Sequence, residues 1–428
     1  MHCAERLALI LALGLLAPVA AQAKTCPADT SKLRRHIVSC RAERSMAECR
    51  RAVEAISCSV HRELALINAV VITVPDDEMG ILENKLAAAP EIQSYEEDKY
   101  VQWIKTGDLT LPKFEFPAIQ NMIPAFTSSS KRKAPIDPPS PNPVQPTANG
   151  QLPWGIARVN APEAWKTSMG QGVKVAVIDT GIDYNHAALK ANVKGGFNAL
   201  DPKNPDNFMD DQGHGSHVSG TIAAIYNNGA GAGKSGVIGV APKASLYGVK
   251  VLDAQGGGNY SSIIAGIEWA VKNGMQVANM SLGAPQGTDA LHQAVIAAQK
   301  AGLVIMAAAG NDSGGAVGYP AAYPETICVS ASNDQDGFAS FSSKGPQVNF
   351  IAPGQDILSA KLGGGYIVHS GTSMATPHMT GLGALAIAAG AQGFDGVKSA
   401  LMNAATPLPG LADDEQGYGL VDAAKVVR

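Results

Sequence analysis

From Gln151 to the end of the chain, short apolar runs alternate with segments of helical length. Val173–Ile178, Ser245–Val249, Val277–Met280 and Leu303–Ala307 are rich in Val, Ile, Leu and Ala. Ser261–Lys272 and Asp289–Lys300, between and beside them, have helical spacing. Strands that read as near-continuous apolar runs are buried on both faces, and alternation with helices supplies the cover. The expected fold class over 151–428 is therefore α/β, a parallel β-sheet flanked by helices. The 46 glycines suit a packed core joined by many tight turns and argue against a disordered or fibrous chain. A formal net charge of −4 gives no reason to expect nucleic acid or an anionic membrane as partner.

The first 150 of the 428 residues are organised differently. Residues 1–23 read as a secretory signal: Arg6, an apolar stretch from Leu7 to Ala20, then Ala21-Gln22-Ala23 as an A-x-A cleavage site. The apolar stretch falls short of the roughly 20 residues that span a bilayer, so an exported, soluble chain is expected. Cysteine use agrees with export. Cys26, Cys40, Cys49 and Cys58 cluster as an even set that implies two disulfides, with three pairings open. Cys328 stands apart in an apolar β-like stretch and reads as a buried structural thiol. From Lys24 to about Lys105 the pattern is compact α+β. A strand is expected at Arg35–Val38, a helix at Met46–Ile56 and one long strand at Leu64–Val74. A second helix is expected at Met79–Ala89, with Ile81, Leu82 and Leu86 on one face, and an acidic edge strand at Tyr95–Val101. Residues 106–150 are crowded with proline and read as an exposed linker, with Lys131-Arg132-Lys133 taken as solvated charge rather than a processing signal.

Four short motifs carry chemistry. Asp179 directly follows the Val173–Ile178 run, and Gly181 allows a sharp turn; in open α/β sheets reactive groups gather beyond such strand ends. An aspartate there is also a common helix cap. His214 lies in Gly213-His214-Gly215-Ser216-His217 at the start of a small-residue helix. His214 and His217 also have an i, i+3 spacing suited to a metal, but no third ligand of matching spacing follows. Ser373, in Gly371-Thr372-Ser373-Met374-Ala375, opens a long helix whose N-terminus offers positive potential and free N–H groups. It is not the hydrolase nucleophile elbow, because Ala375 stands where a second glycine is needed. Its bland alternative is an N-cap serine. Asn311 ends the Leu303–Ala309 run with an amide that is either a turn former or a donor to an oxyanion. Gly233-Lys234-Ser235 resembles a P-loop fragment but lacks the first glycine, which is Asn228 here.

Taken together, in the order Asp, His, Asn, Ser, these motifs resemble the subtilisin-like serine peptidases over nearly all of 151–428. The resemblance implies Ser373 as nucleophile, His214 as general base and then acid, Asp179 as the group orienting the imidazole, and Asn311 as oxyanion donor. It implies substrate edges at Gly256, Gly257 and Gly258 on one side and at Ser281, Leu282 and Gly283 on the other. Ala308, Ala309 and Gly318 fall where the family lines the pocket for the side chain before the cut. Their small size implies an open, uncharged pocket that takes a large apolar or aromatic residue. Residues 24–105 resemble, more loosely, the family's inhibitory propeptide, which implies a zymogen that matures by cleavage in the linker.

Partners implied are peptide or protein substrates and the chain's own propeptide as intramolecular inhibitor, acting on a monomer in the periplasm or outside the cell. No cofactor is expected for the chemistry. The family's strong calcium site takes a carboxylate about nine residues after the triad aspartate, where this chain has Ala188, and a second ligand would fall at Gly150. The loop Asn227–Ser235 around that ion is lengthened, and Asp201, Asp206, Asp210 and Asp211 are either an alternative calcium loop or a solvated acidic one. Two other readings share these motifs: a dedicated processing peptidase with few substrates, and a non-catalytic binding module that keeps the fold.

Overall fold

The computed structural model describes residues 26, 27, 29–76, 79–104, 152–225 and 236–428. The signal, the Pro-rich linker with its basic triplet, Gly150 and the loop 227–235 lie outside the described residues.

The N-terminal region forms a four-stranded antiparallel sheet in the order β2-β3-β1-β4. Its elements are β1 (Leu33–Cys40), α1 (Met46–Glu54), β2 (Ser59–Leu64), β3 (Ala69–Pro75), α2 (Met79–Ala88) and β4 (Ile92–Glu97). Helix α1 starts on a reciprocal cap in which Ser45 accepts from the Glu48 amide and Glu48 reaches back to the Ser45 amide. The disulfides are Cys26–Cys58 and Cys40–Cys49, which selects one of the three pairings.

Two expectations need correction. The single strand over Leu64–Val74 is a hairpin: Ala65–Ile67 is a 3-10 turn, and Asn68 takes left-handed dihedrals (φ 49, ψ 55) before β3 begins. Asparagine tolerates that conformation, and its side chain bonds the Cys40 and Arg41 carbonyls. The acidic run Tyr95–Val101 is also split. Its first half belongs to β4 at the sheet edge, and Tyr100–Gln102 (β5) joins a different sheet.

The larger region begins with α3 (Trp154–Arg158) and α4 (Ala161–Ala164), then β6 (Lys174–Asp179), β7 (Val193–Asn198), α5 (His214–Ala223) and β8 (Ser245–Lys250). It continues with β9 (Gly257–Asn259), α6 (Tyr260–Lys272), β10 (Val277–Met280), α7 (Asp289–Lys300), β11 (Val304–Ala308), β12 (Ile327–Ser332) and β13 (Val348–Pro353). Next come β14 (Ile357–Ala360), β15 (Tyr366–His369), α8 (Thr372–Ala388), α9 (Gly393–Ala404), β16 (Ala405–Thr406), α10 (Asp413–Gln416), β17 (Leu420–Val421) and α11 (Ala423–Val426). Nine strands form one sheet in the order β16-β17-β13-β12-β11-β10-β6-β8-β7, parallel except for β16.

Alternate residues along these strands fill two cores. Val175 and Val177 face one cluster together with α5 and α8, whereas Ala176 and Ile178 face the other with α6 and α7. Strand order reverses where β6 meets β10, and the carboxyl ends of β6, β10 and β11 open there. Such a switch point is where open α/β sheets place their sites.

The two regions are packed together. Ile37, Ala69 and Val71 of the small sheet share a core with α6 and α7, while Val38, Val70 and Ile72 face inward against α1 and α2.

Candidate active site

Asp179 is the last residue of β6 and is fully buried. Its carboxylate lies 2.9 and 3.0 Å from Nδ1 of His214, and the Thr180 amide donates to Oδ1 at 2.7 Å. His214 is the first residue of α5, following Gly213 at φ 108, a dihedral that favours glycine. A carboxylate on Nδ1 fixes which ring nitrogen carries the proton and so aims Nε2 for proton transfer.

The segment before His214 is held by Asp210, which is buried. Its Oδ1 accepts from the Thr180 hydroxyl and the Gln212 and Gly213 amides, and its Oδ2 from the Ser216 amide and hydroxyl. Asp211 pairs with Lys250 at 2.7 Å, and Asp201 accepts from the Lys203 amide and Asn204. These carboxylates are thus spent on protein donors. Among the described residues no group of three or more His, Cys, Asp or Glu is arranged to hold a metal. Ala188, at the position of the expected calcium carboxylate, is fully buried and supplies no side-chain oxygen there.

His217 does not join His214 in a metal pair. Its Nε2 lies 3.0 Å from the Ile357 carbonyl and 3.2 Å from that of Ile367, and its ring packs on His369 at 4.6 Å. Burial, with His369 and His214 adding repulsion, holds His217 well below the ordinary histidine pKa. Neutral and bonded to carbonyls, it is a structural histidine.

Ser373 is the second residue of α8, not its cap; that place belongs to Gly371. The first-turn amides of a helix have no partner four residues back. Here the Thr372 amide donates to Asn311 and the Met374 and Ala375 amides to the Gly371 carbonyl, which leaves the Ser373 amide as the one not engaged among them. The hydroxyl donates to the Ser281 carbonyl at 3.2 Å, and the Ser281 hydroxyl donates back to the Ser373 carbonyl at 2.8 Å. Asn311, just beyond β11, accepts from the Thr372 amide and hydroxyl at 2.9 Å through Oδ1. With its oxygen anchored, the amide nitrogen is the end available to a ligand. Pro377 is accommodated inside α8, in the first turns as expected.

Beside Ser373 is a cavity of about 200 Å³ lined by Leu282, Gly283, Ala308, Gly310, Asn311, Val317, Gly318 and Thr372. Ala308 and Gly318 are in place. Ala309 is not: it is fully buried in the core against the helices, because successive residues on an extended chain point to opposite faces. Among the described residues Asp312 is the one charged residue that lines the cavity.

Sequence reasoning did not say which segment lies along the two expected edges. β5 (Tyr100–Gln102) pairs antiparallel with Gly257–Asn259, with Val101 opposite Gly258. The Trp103 and Ile104 amides donate to the Gly256 carbonyl, and the Gly283 amide donates to the Trp103 carbonyl at 3.1 Å. The chain's own segment 100–104 therefore lies between both expected edges, and Trp103 and Gln102 form part of the cavity wall. Its placement is fixed by two carboxylates. Asp98 accepts from the Ser261 amide and hydroxyl at the start of α6 (2.9 and 2.7 Å), and Glu96 accepts from the Ala290 amide at the start of α7 (3.3 Å). Carboxylates at helix N-termini complement the unpaired amides and the helix dipole. Glu96 and Asp98 were visible in the acidic run, but nothing in the sequence said that they cap helices more than 150 residues away.

Comparison with known proteins agrees with this site. Residues 170–419 match the model of the subtilase family, more than half of the chain. The chain belongs to the subtilase family. This subtilase is 50% identical to subtilisin E of Bacillus subtilis over 239 residues, 55% of this chain and 60% of that protein. It is 44% identical to subtilisin Savinase of Lederbergia lenta over 279 residues, 65% of this chain and 99% of that protein. A third relative, the intracellular serine protease of Paenibacillus polymyxa, is 45% identical over 242 residues. The chain thus spans about 60% of the length of the first subtilisins that it matches.

Proposed function

We propose that this subtilase is an exported serine endopeptidase, made as a zymogen that its own N-terminal region blocks. The observation that carries the reading is the buried Asp179–His214 pair at the strand and helix ends that also present Ser373 and Asn311.

In the reaction the Ser373 hydroxyl exchanges its bond to Ser281 for one to His214. His214 takes the proton as Oγ bonds to the scissile carbonyl carbon, and Asp179 stabilises the resulting imidazolium. The negative charge on the former carbonyl oxygen is met by the Asn311 amide and the Ser373 backbone N–H. Losing one such donor costs roughly 10²–10³ in rate. Collapse breaks the C–N bond, the amine leaves with the proton from His214, and water repeats the cycle to release the acyl group.

Substrate binding follows from the edges. An extended peptide between Gly256–Gly258 and Ser281–Gly283 is held by backbone bonds, which are blind to side chains and give broad specificity. The mostly small, apolar lining of the cavity, with Asp312 its one charged residue among the described ones, suits a large apolar or aromatic residue before the cut. Residues 100–104 use those same edges as an antiparallel strand, which supports residues 24–105 as an intramolecular inhibitor. Maturation then requires a cut between Ile104 and Leu152, where the chain passes from the blocking segment to the catalytic domain. We assign a monomer, because the mature site is completed within one chain.

The test is a fluorophosphonate probe applied to purified precursor, followed by intact mass and peptide mapping. The expected result is one adduct, on Ser373, on a chain shortened between Ile104 and Leu152. A full-length chain that stays unlabelled, even after limited proteolysis of the linker, overturns the reading in favour of a binding module. Digestion of a panel of unrelated proteins separates a broad peptidase from a dedicated processing one.

A further inference from the structure

Lys250 is a lysine in an unusual place: its side chain is only 7% exposed, at the carboxyl end of β8 and in register with Asp179 on β6. Lysine is almost never buried unless paired, and its ammonium has three donors to satisfy. Each donor of Lys250 finds a separate acceptor: the Thr180 carbonyl at 2.8 Å, the Leu252 carbonyl at 2.9 Å and Asp211 Oδ1 at 2.7 Å.

The three acceptors belong to three different parts of the site. Thr180 follows Asp179, gives its amide to that carboxylate, and bonds through its hydroxyl to Asp210 and to the Gly215 amide beside His214. Asp211 lies three residues before His214. Leu252, whose amide bonds the Asp179 carbonyl, begins the turn that delivers the Gly256–Gly258 edge. Resting on the peptidase reading above, we infer that Lys250 is a positioning residue that holds Asp179, the His214 segment and one substrate edge in mutual register through a single ammonium. Loss of that ammonium leaves two carbonyls buried among strand ends without their donor, so the segments relax independently. Misplacement by about 1 Å is enough to cost on the order of a hundredfold in rate.

The test uses the full-length chain after maturation, with active sites counted by fluorophosphonate titration and rates expressed per titrated site. Two substrates separate the effects: a single-residue ester that touches only the pocket, and a tetrapeptide amide that also needs the Gly256–Gly258 edge. Lys250→Met should lower kcat on the ester about tenfold with KM nearly unchanged, and should in addition raise KM severalfold on the tetrapeptide. Lys250→Arg, which keeps a cation, should recover part of kcat. If kcat and KM of Lys250→Met stay within roughly twofold of the parent on both substrates, whatever its melting temperature, the inference is overturned. Should Lys250→Met not fold, Asp211→Ala decides: a smaller loss of kcat on the ester supports the inference, and an unchanged kcat overturns it. A parent chain without adduct or turnover would instead remove the peptidase reading, and this inference with it.

Discussion

In β3 of the N-terminal region every residue from Ala69 to Pro75 is buried, as it is in β6 of the catalytic region from Val175 to Asp179. The two strands obtain that cover in different ways. β6 lies between helices of its own domain, α5 and α8 on one face and α6 and α7 on the other. β3 has its own helices on one face only, and its second face, Ala69 and Val71, is closed by α6 and α7 of the catalytic region. A domain of this size buries little surface alone, and one face of this sheet is covered by the other region. Both disulfides of the chain are in that small region, whereas the catalytic region has one cysteine, Cys328, buried and with its thiol pKa pushed up by burial. Covalent staples are placed where the core is smallest.

The contrast can be broken most sharply at Ser373, the proposed nucleophile. Ser373→Ala should lower kcat by about a millionfold and leave the chain uncut, with both regions folded as before, read by turnover and intact mass. Turnover at the parental rate would mean that the division of labour between the regions is wrong. In that uncut background the shared interface can be weighed. Asp98 is fully buried and serves Arg35 at 2.8 Å as well as the start of α6. Asp98→Ala should therefore cost about 3 kcal/mol of urea unfolding free energy, since Arg35 loses its ion partner, keeping only Asn259 and Ser261, and α6 loses its cap. A loss too small to measure would show that the regions are held by apolar contact alone.

The staples come next. Removing Cys26–Cys58, which closes 32 residues, by paired serine substitutions should cost the N-terminal region about 3–4 kcal/mol. The catalytic transition should stay in place, as followed by limited proteolysis across a thermal ramp. Acid acts on the catalytic region through His378, which is buried in α8 and held by that burial at a pKa of about 4. The unfolded chain takes up this proton near pH 6.5, before the folded one does. Stability is then fully present above about pH 6.5 and is lost, by on the order of 3 kcal/mol, as the pH falls toward 4. His378→Gln should flatten that slope in a pH series of urea midpoints. The smallest effect belongs to the cap of α1, where Ser45→Ala should cost about 1 kcal/mol, confined to the N-terminal region.

Much of this was legible in the sequence because the side chains proposed for catalysis stand at element ends that the apolar runs already mark. Val173–Ile178 announced β6 and so placed Asp179, and Leu303–Ala307 did the same for Asn311. The run Leu64–Val74 was legible as buried but not as a hairpin, since its turn at Asn68 is set by one residue's dihedrals inside an unbroken apolar stretch. Ala309 was misplaced because motif position does not say on which side of the chain a methyl falls. Long-range polar contacts left no local trace: Asp98 on α6, Glu96 on α7 and Lys250 on three carbonyl and carboxylate acceptors depend on the tertiary fold.

The strand at residues 100–102 has a consequence for the kinetics of activation. On the zymogen reading, while the chain is continuous that strand faces its groove at the effective concentration of a tethered ligand, set by the length of the connection. Severing the tether leaves every contact in place but makes rebinding depend on bulk concentration. Onset of activity should thus be governed by dilution as much as by cutting: crowded, freshly cut enzyme stays silent, and the same enzyme diluted into its surroundings wakes.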